Sequence, residues 1–352
     1  MRMTRRQLLA AGLAALPGLR CPAAGAAGKK RLGMVVNSYG VRLSADRKNG
    51  SKDDLNDPLV FLEHCHRLGA GGIQLGIGSR DKAYTARLRE KLAAYHMYLE
   101  GSIGLPRDRK DVERFTAEVR AAKDAGATVL RTVLLGGRRY ETFATAAAFR
   151  RWADQAFRSL GLAEPVVARH DMQLAVENHK DLRTEELTAV LKRLDSRHVG
   201  VCVDTGNSIA LLEDALEVVE ALAPWAFSTH LKDMAVAEYD NGFLLAEVPL
   251  GQGFLDLKKI VAILRRSRPE VRLNLEMITR DPLKVPCLTP RYWATFESLP
   301  GRHLARTLTT VRKHRPHDRL PNISGLPHKQ QLAAEEDNVR KCMAYAEKYL
   351  EF

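Results

Sequence analysis

Four residues able to bind a hard cation follow one another at the ends of short apolar runs. Leu174-Ala-Val ends in Glu177, Val199-Gly-Val-Cys-Val in Asp204, Ala226-Phe-Ser-Thr in His230 and Val271-Arg-Leu-Asn-Leu in Glu276. Three carboxylates and one imidazole make a mostly oxygen donor set. It suits one Mn²⁺ or Mg²⁺ ion first, and Co²⁺ or Zn²⁺ after them. Without a cation, three neighbouring carboxylates repel and one takes up a proton. A divalent ion removes that conflict. An ion chelated by a carbonyl and an adjacent hydroxyl acidifies the carbon-bound proton, which a carboxylate then removes. Return of the proton to the other face epimerises, return to the neighbouring carbon isomerises, and loss of a β-substituent is a lyase reaction. Lys232, two residues beyond His230, is placed to hold or protonate a leaving oxygen. His179 lies just past Glu177, and Asn37 and Glu100 end two earlier strand-like runs, so all three are candidate substrate contacts in the same cavity.

Such acids meet only if the runs are parallel strands with aligned tips. The four runs read as strands 5 to 8. Leu32–Val36, Gly72–Gly76, Met97–Glu100 and Thr128–Val133 read as strands 1 to 4. Helical stretches alternate with them. One is opened by Pro58 and closed by Gly69, and the longest runs from Ala144 to Arg169. The stretch up to Asp57 and the stretch from His230 to Gly253 read as long loops, with Gly251 and Gly253 serving a turn. Eight alternating units predict a (β/α)₈ TIM barrel with a C-terminal helical extension. The alternative is an open doubly wound sheet, which the missing GxGxxG after strand 1 disfavours. Residues 28–280 form the expected barrel. Residues 281–352, ending in an amphipathic helix from Gln330 to Leu350, form an extension that packs on the barrel or on a partner subunit.

Composition narrows the class. The chain has 352 residues, 45% hydrophobic, and a formal net charge of +13. Its basic residues are scattered along helices, which indicates solvated faces rather than a nucleic-acid surface. Five cysteines without CxxC spacing signal neither a zinc knuckle nor a disulfide framework. Residues 1–27 combine Arg5-Arg6, a short apolar stretch and an alanine-rich end. This is an export signal similar to the twin-arginine type, which predicts a periplasmic protein with no membrane anchor once the signal is removed. Replacing Arg5 and Arg6 by Lys should then trap the protein in the cytoplasm, and unchanged export would contradict the reading.

Glu177-Asn-His179, Asp204-Thr-Gly-Asn207, His230-Leu-Lys-Asp233 and Asn274-Leu-Glu276 resemble the sugar phosphate isomerase/epimerase family, the xylose-isomerase-like barrels, over residues from about 32 to 280. The resemblance implies a divalent-metal-dependent sugar or keto-sugar isomerase or epimerase. Glu177, Asp204, His230 and Glu276 would be its metal ligands, and Glu177 and Glu276 its acid and base. Asn207 stands where the epimerases tend to have His, which makes it a candidate substrate contact. Val236 and its neighbours stand where they tend to have Arg. The His-Leu-Lys-Asp string is instead similar to inosose dehydratase, so a keto-polyol dehydratase or keto-glycoside lyase is the alternative. A non-catalytic sugar-binding barrel comes third. The related DNA-repair barrels need extra metal-binding histidines that strands 2 and 3 lack.

Overall fold

The predicted runs become the staves of a closed barrel. The computed structural model describes residues 31–49, 54–316 and 319–350. Strands β1 (Gly33–Val35), β2 (Gly72–Leu75), β3 (Tyr98–Ser102), β4 (Val129–Thr132), β5 (Gln173–Glu177), β6 (Val199–Asp204) and β7 (Ala226–Leu231) pair in parallel. Two further strands, β8 (Asp233–Tyr239) and β9 (Gly242–Val248), leave the barrel before β10 (Asn274–Leu275) closes it between β7 and β1. Every residue of β6 is buried, as expected for strands covered by helices outside and packed side chains inside. The covering helices include α1 (Gly40–Asn49), α2 (Pro58–Arg67), α3 (Lys82–Ala94) and α4 (Val112–Asp124). Asp57 caps α2 by accepting from the backbone N–H groups of Leu59 and Val60, and Pro58 fills its first turn.

Three regions differ from the sequence reading. The stretch before Asp57 holds α1, not only a loop. The stretch after His230 is a hairpin: β8 and β9 pair antiparallel, and β11 (Leu283–Val285) adds to β9 as a third strand. Met234 and Val236 alternate with more exposed residues along β8, and Asp240-Asn241-Gly242 turns the chain. The eighth barrel strand is only two residues long, and Glu276 lies just beyond it.

Asp233 organises the segment after the hairpin. Its Oδ2 accepts from the N–H groups of Gly251 and Gly253, each at 2.9 Å, and its Oδ1 from Met234 at 2.9 Å. Gly251 has φ +83°, and a Cβ at Gly253 would lie 2.1 Å from Asp233 Oδ1. Both turn positions therefore need glycine.

The final helix spans His328–Tyr349 and packs on the barrel. Its Glu335 reaches the first turn of α1, where its carboxylate accepts from the N–H groups of Val41 at 2.6 Å and Arg42 at 3.1 Å. Burial outweighs these bonds and pushes the Glu335 carboxyl up to about 7. An acid whose folded pKa exceeds its unfolded value favours folding fully below the unfolded value and loses that contribution as pH rises through the folded one. Melting temperature should therefore fall less between pH 5 and pH 8 in Glu335→Gln than in wild type. Equal slopes would contradict this. No helix among the described residues is long and apolar enough to cross a membrane.

Candidate metal centre

The barrel brings the four strand-end residues together. One donor atom each from Glu177, Asp204, His230 and Glu276 lies within 4.8 Å of the others, and all four residues are buried. Asp204 pairs with His230 across the β6–β7 ladder, which sets their common height. His230 Nδ1 stands 3.4 Å from Glu177 Oε2, 3.3 Å from Glu276 Oε2 and 3.8 Å from Asp204 Oδ2. Among the described residues neither His230 Nδ1 nor Asp204 Oδ2 has a hydrogen-bond partner, although Lys232 Nζ lies 3.1 Å from the latter. Two buried donors without a hydrogen bond, converging with two more carboxylates beside them, fit a divalent cation.

The surroundings aim each donor. Gly206 and Asn207 donate their backbone N–H groups to Asp204 Oδ1 at 2.9 and 2.8 Å, leaving Oδ2 turned inward. His230 Nε2 bonds Gln74 Oε1 at 2.7 Å, and Gln74 Nε2 donates to Glu100 Oε2 at 2.9 Å. The amide oxygen accepts from the imidazole Nε2–H, which leaves Nδ1 as the ring nitrogen facing the carboxylates, protonated while they lack a cation and free to ligate one that displaces that proton. Gln74→Leu should lower divalent-metal affinity roughly 10- to 100-fold. An unchanged affinity by calorimetry would contradict the relay.

Glu100 lies deeper than a strand-tip position: it is fully buried and bonds Gln74, Ser228 and Asn274. Strand β3 runs on to Ser102, so Glu100 sits two residues short of the tip and one layer deeper. Burial raises its carboxyl. Asn37 does face the mouth, and donates to Glu276 Oε1 at 3.1 Å. Asn207 Nδ2 donates to Glu177 Oε1 at 2.9 Å. His179 lies past the tip of β5. Burial and the adjacent Lys180 lower it to about 3, so it is neutral.

Cations surround the acids. Lys232 Nζ lies 2.7 Å from Glu276 Oε2 and 3.4 Å from Glu247 Oε1, and does not pair with its neighbour Asp233. Burial would raise the carboxyls of Glu177 and Glu276, but nearby cations more than offset it: Arg131 and His230 for Glu177, His230 and Lys232 for Glu276. Both therefore lie below the usual carboxylate range. Arg131 donates Nε to Glu177 Oε2 at 2.7 Å, and Arg280 donates to Glu247 Oε1 at 2.7 Å. Lys180 donates to Asn207 Oδ1, and burial with the neighbouring Lys232 and Arg280 lowers it to about 8. The sequence reading missed Gln74, Arg131, Lys180, Glu247 and Arg280. Only Arg131 carried a clear signal, an arginine inside an apolar strand.

Residues 62–295 match the xylose isomerase-like TIM barrel family model, and the chain belongs to that family. It is 27% identical over 224 residues to 3-oxo-isoapionate decarboxylase of Pectobacterium atrosepticum, covering 62% of this chain and 76% of that one. In fold it is similar to D-psicose 3-epimerase, with TM-score 0.56, 14% identity, and coverage of 92% of this chain and 100% of the other. It is also similar to 3-keto-D-glucoside 4-epimerase of E. coli, with TM-score 0.50, 12% identity, and coverage of 73% and 94%. By name, the sequence relative is a decarboxylase and the two proteins similar in fold are epimerases.

Proposed function

We propose that this protein is a divalent-metal-dependent isomerase or epimerase of a keto-sugar. The reading rests on the convergence of His230 Nδ1 and Asp204 Oδ2, both without a hydrogen bond among the described residues, with Glu177 and Glu276 at the barrel mouth. These four residues would hold the ion, with Mn²⁺ or Mg²⁺ the proposed occupant. When bound, the ion supplies Lewis acidity that makes a proton beside a carbonyl removable. Glu177 and Glu276 come from opposite sides of the cluster and would take and return that proton. Arg131 and Lys232 keep them ionised at neutral pH, ready to accept it. Asn37, His179 and Asn207 would position substrate hydroxyls. Export to the periplasm belongs to the same proposal, and its signal lies outside the described residues.

One observation favours a lyase as second reading. Lys232 Nζ sits 2.7 Å from Glu276 and 3.1 Å from Asp204, where an ammonium can protonate a leaving oxygen or a carbon that has just lost its substituent. The decarboxylase relative supports the same reading.

Incubation in D₂O with neutral ketoses, inososes, 3-keto-glycosides and keto-sugar acids separates these outcomes. Deuterium uptake that needs added metal supports the proposal. Retained molecular composition marks an isomerase or epimerase, whereas loss of water, a sugar or carbon dioxide marks a lyase. No uptake and no product across the panel, with metal loaded, would leave only a binding barrel.

A further inference from the structure

The side chains of the site leave no negative charge over for a divalent ion. Four carboxylates, Glu177, Asp204, Glu247 and Glu276, face four cations, Arg131, Lys180, Lys232 and Arg280. With His230 neutral as a metal ligand, these acids and bases match without counting the metal. A divalent ion at the four donors would leave two positive charges without a counterpart. A metal site built for neutral sugars needs no such surplus, because three carboxylates already exceed the charge of one divalent ion.

The surplus can be located. Arg131 pairs with Glu177, Arg280 with Glu247, and Lys232 with Glu276 and Asp204. Lys180 is only 3% exposed, yet among the described residues no carboxylate lies within 4.0 Å of its Nζ. The neighbouring Asp181 spends its oxygens on the N–H groups of Leu135 and Leu182. Among the described residues the Lys180 ammonium has one hydrogen bond, to the neutral Asn207 Oδ1, which Lys232 Nζ also approaches at 3.5 Å. Two ammonium groups thus converge on one amide oxygen. A buried ammonium without an anion is costly, and a structure that keeps one gains when an anionic ligand arrives.

We infer that the substrate carries a carboxylate, a keto-sugar acid rather than a neutral keto-sugar, and that Lys180 holds this group with Asn207 beside it. The inference deepens the proposed function and rests on it. Lys180 sits one Asn207 side chain away from Glu177, because the same amide donates to Glu177 Oε1 at 2.9 Å. The carboxylate would therefore lie within the span of a single small sugar from the metal donors. Lys180 and Asn207 would then select the substrate, while the four donors serve any ketose.

The test is calorimetric titration of the full-length protein loaded with Mn²⁺, using 2-keto-D-gluconate, D-fructose and D-fructose 6-phosphate. Wild type should bind the keto acid roughly 10- to 100-fold more tightly than D-fructose, the range expected of a hydrogen bond between charged groups. Lys180→Met should bring that ratio near one, and Lys180→Arg should keep most of it. A wild-type ratio near one, or a ratio unchanged in Lys180→Met, would overturn the inference. So would a preference for the phosphate ester over the keto acid. The functional reading fails separately, and takes this inference with it, if Mn²⁺ does not bind. With Mn²⁺ bound, D-fructose bound and no preference for the acid, the carboxylate assignment alone fails.

Discussion

Glu276→Gln should lower turnover by about 10³- to 10⁴-fold and weaken metal binding at least about 10-fold. Three losses coincide at this side chain. The cluster loses one of its three carboxylates. Lys232 loses its nearest anionic partner, at 2.7 Å. The substrate loses one of the two groups proposed to move its proton. Glutamine keeps the size of the side chain and the oxygen that Asn37 can donate to, so the barrel should still fold. Turnover is read on whichever substrate the D₂O panel identifies, and metal content by mass spectrometry of the same sample. A variant retaining more than about a tenth of wild-type turnover would exclude Glu276 from the chemistry.

Arg131→Met should produce the largest change in stability. Glu177 is buried, and Arg131 is its closest cation. Removing one partner of a buried ion pair leaves an uncompensated charge and costs about 3–5 kcal/mol. In metal-free protein this should appear as a drop in melting temperature on the order of 5–10 °C. Added Mn²⁺ should then stabilise the variant more than the wild type, because the ion replaces the missing countercharge at Glu177. A melting temperature within about 1 °C of wild type, or equal stabilisation by Mn²⁺, would show that Arg131 does not carry the charge of Glu177.

What the sequence disclosed follows from where chemistry meets secondary structure. An acid that ends an apolar run is visible because it breaks the pattern. Glu177, Asp204, His230 and Glu276 were legible for that reason, and strand pairing put their donors together. Glu100 looked the same but was misplaced by two residues: Gly101 and Ser102 carry no apolar signature, although they continue β3. The hairpin after His230 was hidden because a βα connection was expected there, even though Asp240-Asn241-Gly242 is a turn between two alternating runs. Lys180, Glu247 and Arg280 come from three separate segments, and nothing local in the sequence indicates that they share one charge network. Lysine is so often solvated that only burial distinguishes Lys180 from its surface counterparts.

The central claim is that Glu177, Asp204, His230 and Glu276 form one divalent-metal site. Its most direct test is metal titration of chelator-treated protein, with wild type compared against Asp204→Asn and His230→Gln. One ion per chain should bind wild type with micromolar or tighter affinity, and each replacement should weaken it by about 100-fold or more. Absence of stoichiometric binding to wild type, or binding that both replacements leave unchanged, would contradict it.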